Sequence, residues 1–226
     1  MAKPTLNFPD GPWKTLLEQA YGLIDAIAAD GVTPPRWSLG GGTVLMFHYA
    51  HRKSKDIDIF IPDPQFLGYV NPRTGGRGED LTSEYTDAAE YVKLFLPEGE
   101  IDFVASSTLT ENPFEEHEVL GRNILLETPL EIVAKKLWHR GDRATPRDLI
   151  DLAIVIDRHY SEILDHRQVF AKNIAIFTEQ CETRKSIMLP AFDAIEKIEF
   201  DFSFDECLER ANRLKADLLK KATPTP

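Results

Sequence analysis

The chain has 226 residues, 42% hydrophobic and 28% charged, enough to bury the core of one large or two small domains, which excludes a largely disordered protein. No apolar run approaches the roughly 20 residues that span a bilayer, and residues 1–7 lack the apolar stretch of a secretory leader, so a cytoplasmic protein without a membrane partner is expected. A net charge of −11 argues against broad, sequence-independent nucleic-acid binding, and Cys181 and Cys207, without metal or redox spacing, read as two reduced thiols on helices.

In chain order, Leu16, Leu17, Ala20, Leu23, Ile24 and Ile27 recur at helical spacing over residues 13–29, with Gly31 as the stop. Residues 36–39 read as a short strand, 40–42 as a glycine turn, 44–50 as a helix of about two turns, and 56–61 as a strand closed by Pro62 and Pro64. Side chains alternate along a strand, so Asp56 and Asp58 project to one face while Ile57 and Ile59 fill the other. Two carboxylates on one face repel unless a cation lies between them. Their hard oxygens suit Mg²⁺ or Mn²⁺, ions typically held by one or two carboxylates together with substrate phosphates. Gly40, Gly41 and Gly42 let backbone N–H groups approach an anion, a helix opening at Thr43 adds its positive dipole end, and Thr43 offers a hydroxyl. The stretch reads as a phosphate cradle beside a metal site.

Residues 71–80, rich in turn formers, read as a surface loop rather than a lid, with Arg73 and Arg77 its chemical features. Residues 91–96 and 101–105 read as a hairpin, in which Asp102 is either a third carboxylate completing the metal site or a satisfied strand-end aspartate. After Glu127 the period turns helical. Thr128-Pro-Leu-Glu131 opens a helix through His139, Thr145-Pro-Arg-Asp148 opens another through about His159, two more cover about 168–194 and 205–221, and residues 223–226 form a frayed tail. Charge is uneven: residues 1–125 hold 10 Lys and Arg against 19 Asp and Glu, residues 126–226 hold 16 against 18. Lys135, Lys136, Arg140, Arg143 and Arg147 cluster in the second half, a basic group suited to face the aspartates across a cleft.

Two blocks resemble the AbiEii/AbiGii nucleotidyltransferase toxins of type IV toxin–antitoxin systems. The first is Gly41-Gly-Thr-Val-Leu45 with His51-Arg-Lys-Ser-Lys-Asp-Ile-Asp-Ile-Phe60; the second is Glu131-Ile-Val-Ala-Lys-Lys-Leu137 with Arg143-Ala-Thr-Pro-Arg-Asp-Leu-Ile-Asp-Leu152. The resemblance implies that Gly41, Gly42 and Thr43 hold the phosphates of a nucleoside triphosphate. Asp56 and Asp58 then bind the metals, and Asp102 completes that site or acts as base. Lys136, Arg143 and Arg147 grip phosphates, and Asp148 positions one of those cations or contacts the nucleotide. Only alignment of Leu137 selects Lys136 over Lys135. Ser54 belongs to the first block and is placed with the nucleotide; His51 and Arg52 also belong there, without a chemistry of their own. His48 and His51, three apart, read as structural, since Mg²⁺ prefers oxygen.

The expected architecture is α+β: a nucleotidyltransferase domain with a mixed sheet and flanking helices over 1–125, and a helical domain over 126–226 closing the nucleotide cleft. The expected reaction is Mg²⁺- or Mn²⁺-dependent transfer of a nucleoside monophosphate to a hydroxyl. The resemblance implies RNA, such as tRNA, as acceptor, a toxin's role and a cognate antitoxin. The alternatives are a small-molecule nucleotidyltransferase acting on an aminoglycoside or sugar, which an acidic first domain would suit, and a non-catalytic nucleotide- or RNA-binding module.

Overall fold

The computed structural model describes residues 6–220, and these divide into two compact units. The first takes in the chain up to His48, Ser54–Thr108 and Phe114–Thr128; the second takes in Tyr49–Lys53, Leu109–Pro113 and the chain from Pro129 onward.

The first unit is built on a seven-stranded mixed sheet of β1 (Ser38–Gly40), β2 (Ile57–Ile61), β3 (Tyr85–Ala88), β4 (Tyr91–Leu96), β5 (Gly99–Ala105), β6 (Phe114–Val119) and β7 (Arg122–Glu127). Its order is β3-β4-β5-β2-β1-β7-β6, with β2/β5 and β1/β7 parallel and the other pairs antiparallel. Parallel pairs need long connections, and accordingly the two parallel pairs, β2/β5 and β1/β7, join strands that are not consecutive in the chain. Helix α1 (Trp13–Ala29) forms as its apolar period predicts and buries Leu16, Leu17, Ala20 and Ile27 completely or almost so. Each fully buried Leu or Ile stabilises the fold by about 1.5–3 kcal/mol. Trp13 packs edge-on against Phe47 of α2 (Gly41–Tyr49), with ring centroids 4.7 Å apart.

Several expectations shift. The first strand lies at Ser38–Gly40 rather than 36–39, and α2 opens at Gly41, ahead of residue 44. Residues 71–80 are not an irregular loop: Pro72–Thr74 and Arg77–Asp80 form 3₁₀ turns, preceded by the short helix α3 (Leu67–Val70). Local chemistry orders them. The Asn71 carboxamide accepts from the Arg73 N–H, and the Arg77 guanidinium grips Asp30 with two bonds of 2.7 Å. Strands β3, β6 and β7 are additions to the predicted elements.

In the second unit, α4 (Pro129–Arg140), α5 (Pro146–Asp165), α6 (Arg167–Thr183), α7 (Lys185–Asp193) and α8 (Phe204–Leu219) pack together, and α8 lies on α5 and α6. The predicted end of α5 near His159 is a kink, where that residue is non-helical (φ −131°, ψ 30°) and the helix continues to Asp165. The single helix expected over 168–194 breaks at Arg184 (φ −104°, ψ 13°). Cys181, Met188 and Phe192 are all buried, so the apolar period runs through the break without marking it. Cys181 and Cys207 are free and buried on α6 and α8, and burial pushes both thiols up to about 12. The predicted tail at 223–226 lies outside the described residues.

Candidate active site

Sheet register sets four residues in a row across four strands: Gly40 of β1 opposes Asp58 of β2, Asp58 opposes Asp102 of β5, and Asp102 opposes Lys93 of β4. Along β2, Ile57, Ile59 and Ile61 are buried while Asp58 and Phe60 are part-exposed, the alternation expected of a strand with one face in the core. Asp102 is buried at 8% exposure. Its Oδ2 accepts from the Lys93 ammonium at 2.8 Å, and its Oδ1 is buried without a hydrogen-bond partner among the described residues. Burial, then the neighbouring Asp58 charge, push the Asp102 carboxyl up to about 7 against the pull of Lys93. Burial opposes the charge on Lys93, but Asp102 and Glu100 outweigh it and raise its pKa above the ordinary lysine value.

Asp56 precedes β2 and leans toward the start of β5, where its Oδ1 accepts from the Glu100 N–H at 3.2 Å. The structure therefore brings Asp58 and Asp102 together and ties Asp56 to the β5 backbone beside them. Among the described residues no three His, Cys, Asp or Glu side chains form a ready metal cluster. The pair nonetheless offers hard oxygens of the kind such a cation takes: two adjacent carboxylates, one with a buried oxygen that no described residue satisfies.

The glycine turn abuts this pair. Gly41 adopts a left-handed conformation (φ +70°), and a Cβ there would sit 1.9 Å from Asp58 Oδ2; a Cβ on Gly40 would meet Glu127 Oε2 at 2.5 Å. Gly41 admits only glycine, because its left-handed backbone and the Asp58 carboxylate both exclude a side chain, while Gly40 is crowded by Glu127 and the Phe60 ring. Gly42 is buried in the first turn of α2. Thr43 is fully buried, and its hydroxyl donates to the Asp56 carbonyl at 2.6 Å. With that proton committed, the Ser54 hydroxyl, 3.0 Å away, donates to Thr43 Oγ1. Both hydroxyls thus pin α2 to the entry of β2.

The basic residues of the second block lie in the second unit. Asp151 is completely buried and receives His51 Nε2 at 2.7 Å, Arg52 Nε at 2.7 Å, Arg52 Nη2 at 2.8 Å and Lys136 Nζ at 3.1 Å. Lys136 also donates to Asp148 Oδ1 at 2.6 Å, while Asp148 Oδ2 closes a capping box with the Thr145 N–H and hydroxyl at the predicted start of α5. Burial disfavours every charge here, yet Arg52 and Lys136 hold Asp151 well below the usual carboxylate range, and Lys136 and Arg140 lower Asp148. Asp148 and Asp151 in turn raise Lys136 despite its burial. Burial lowers His51 and keeps it neutral, consistent with Nε2–H donating to Asp151 while Nδ1 has no partner. Arg143 and Arg147 are exposed.

Residues 23–219 match the family described as nucleotidyl transferase AbiEii toxin, type IV toxin–antitoxin system. The chain belongs to the AbiEii nucleotidyltransferase toxin family. Its fold is similar to that of MenT4, a nucleotidyltransferase toxin from Mycobacterium tuberculosis H37Rv, at 17% identity and a TM-score of 0.53, over 93% of this chain and 85% of that one. A putative nucleotidyltransferase from H. pylori is similar at 16% identity and a TM-score of 0.48, over 93% of this chain and 98% of that one. No curated protein sequence matches the chain.

In this AbiEii family member the aspartates and glycines of the first block lie in one sheet-centred site, whereas its His51 and Arg52 belong to the Asp151 network. The fold class is the expected α+β, and no described helix is long and apolar enough to cross a membrane. Lys93 and Glu100 were absent from the predicted site residues. The signal for Lys93 lay in the hairpin itself: pairing Leu96 with Gly99 places Lys93 opposite Asp102.

Proposed function

We propose that this nucleotidyltransferase uses Mg²⁺ or Mn²⁺ to move a nucleoside monophosphate from a nucleoside triphosphate to a hydroxyl of RNA, tRNA being the acceptor we favour, and that it acts as a toxin opposed by a cognate antitoxin. The observation that carries this reading is the Asp58–Asp102 pair, with its buried unpartnered oxygen, against the backbone of Gly41. Asp58 and Asp102 would hold the divalent ion with Asp56 beside them, and the ion would supply charge stabilisation for the attacking and leaving oxygens. Asp102 would either complete that metal site or, where the ion is held without it, act as base toward the attacking hydroxyl.

The N–H groups of Gly41, Gly42 and Thr43 at the start of α2 would donate to phosphate oxygens, with Ser54 and Thr43 fixing the backbone that presents them. Arg143 and Arg147, both exposed, would neutralise charge on the phosphates; the Lys136 ammonium is taken up by Asp148 and Asp151, so the phosphate grip expected of it would fall to those arginines.

The test is incubation of purified protein with each α-labelled nucleoside triphosphate, Mg²⁺ or Mn²⁺, and total tRNA, beside Asp58→Asn. Label entering RNA with wild type alone is the expected result. Label entering an aminoglycoside and not RNA would replace the acceptor, a reading favoured by the acidic excess of residues 1–125. Triphosphate binding without pyrophosphate release would overturn the catalytic reading.

A further inference from the structure

Asp102 is not an isolated ligand: its two oxygens have different fates. Oδ2 is held by Lys93 at 2.8 Å, and the same ammonium is paired with Glu100, so one cation lies between two carboxylates on the neighbouring strand. Oδ1 is buried and has no partner. The arrangement is built into the sheet, because Lys93 and Asp102 are register partners in the β4–β5 hairpin, flanked by Val92 and Leu94, which are fully buried. With 23% of its side chain exposed, Lys93 is held in place rather than waving in solvent. A surface lysine paired this way would contribute little, but here the partner is buried and faces a second carboxylate, Asp58, across the next strand pair.

We propose that Lys93 is the resident counter-cation of the Asp58–Asp102 pair: it fixes Asp102 through Oδ2, leaves Oδ1 for a divalent ion, and by its own charge weakens that ion's binding. Lys93 is thus a positioning residue that lets the carboxylate pair fold without metal and sets how tightly metal is held. The inference rests on the metal reading given above. The physical reason for the sign is direct. A fixed ammonium within hydrogen-bond distance of a metal ligand repels a divalent ion, and in a part-buried site that repulsion is poorly screened.

The experiment is Mn²⁺ binding at pH 8, read from the free-ion electron paramagnetic resonance signal. Wild type is compared with Lys93→Met, Lys93→Gln and Lys93→Arg, with Asp58→Asn to locate the site and circular dichroism to verify folding. Lys93→Met and Lys93→Gln are expected to bind Mn²⁺ at least about tenfold more tightly than wild type and to melt lower without metal, with Mn²⁺ restoring the loss; Lys93→Arg is expected to behave as wild type. Folded neutral variants whose Mn²⁺ affinity is unchanged or weaker would overturn the role of Lys93 while leaving the metal reading intact. Absence of Mn²⁺ binding by wild type and both neutral variants alike would overturn the metal reading and this inference with it.

Discussion

The two units place buried aspartates in opposite electrostatic conditions. In the second unit, Asp151 is surrounded by three cationic or hydrogen-bonding side chains, and its carboxyl lies well below the ordinary range. In the first unit, Asp102 has one ammonium, an opposing Asp58 and an unpartnered oxygen, and its carboxyl is raised to about 7. Both are buried aspartates, so burial alone does not separate them. Compensation does: the Asp151 charge is met by its neighbours, whereas the Asp102 carboxylate has one ammonium and one unpartnered oxygen, the atom on which the proposed metal site rests.

The largest expected effect follows from breaking the satisfied site. Asp151→Asn leaves Arg52 and Lys136 buried against a neutral amide, and removing one partner of a buried pair costs about 3–5 kcal/mol, so urea unfolding should show that loss or no cooperative transition at all. Gly41→Ala comes next. It forces a Cβ into a left-handed backbone and 1.9 Å from Asp58 Oδ2, and should cost about 1–3 kcal/mol in the same assay and abolish nucleotide transfer.

How much of this was legible in the sequence varies by site. Asp56, Asp58 and the glycines were readable because strand alternation and glycine chemistry are local. The network around Asp151 was not, because it joins residues about 100 positions apart and nothing in residues 51–52 indicates what they touch. The β6–β7 hairpin escaped because Glu115, Glu116, His117 and Glu118 hide the strand period. Its signal was the turn: Leu120 and Gly121 both adopt positive φ (50° and 75°), a two-residue turn in which only one residue is a glycine. The break between α6 and α7 was hidden by a continuous apolar period, and its one local signal was Pro190, which cannot sit deep inside a long unbroken helix.

The pH dependence sharpens the contrast with smaller effects. Asp102 has a folded value of about 7 against roughly 3.9 unfolded, so between those values the folded protein holds a proton that the unfolded chain has lost. Its contribution to stability therefore declines as pH rises from about 4 to about 7. Asp148 and Asp151 act in the other direction, contributing stability above their unfolded value and losing it as pH falls through their depressed folded values. Urea unfolding of metal-free protein at pH 5 and pH 8 should show the decline, Asp102→Asn should remove it, and Asp58→Asn should narrow it, since the Asp58 charge is the second cause of the shift. The smallest change is expected far from both sites: Ser203→Ala removes the cap of α8 and should cost about 1 kcal/mol with transfer activity unchanged.

The most direct test of the contrast is the unfolding free energy of Asp58→Asn at pH 8 with and without Mn²⁺. If Asp58 is held against Asp102 for a cation's sake, the variant without metal is at least as stable as wild type, and Mn²⁺ stabilises wild type but not the variant. A variant destabilised by about 2 kcal/mol or more without metal, or stabilised by Mn²⁺ as much as wild type, would show that Asp58 serves the fold as Asp151 does.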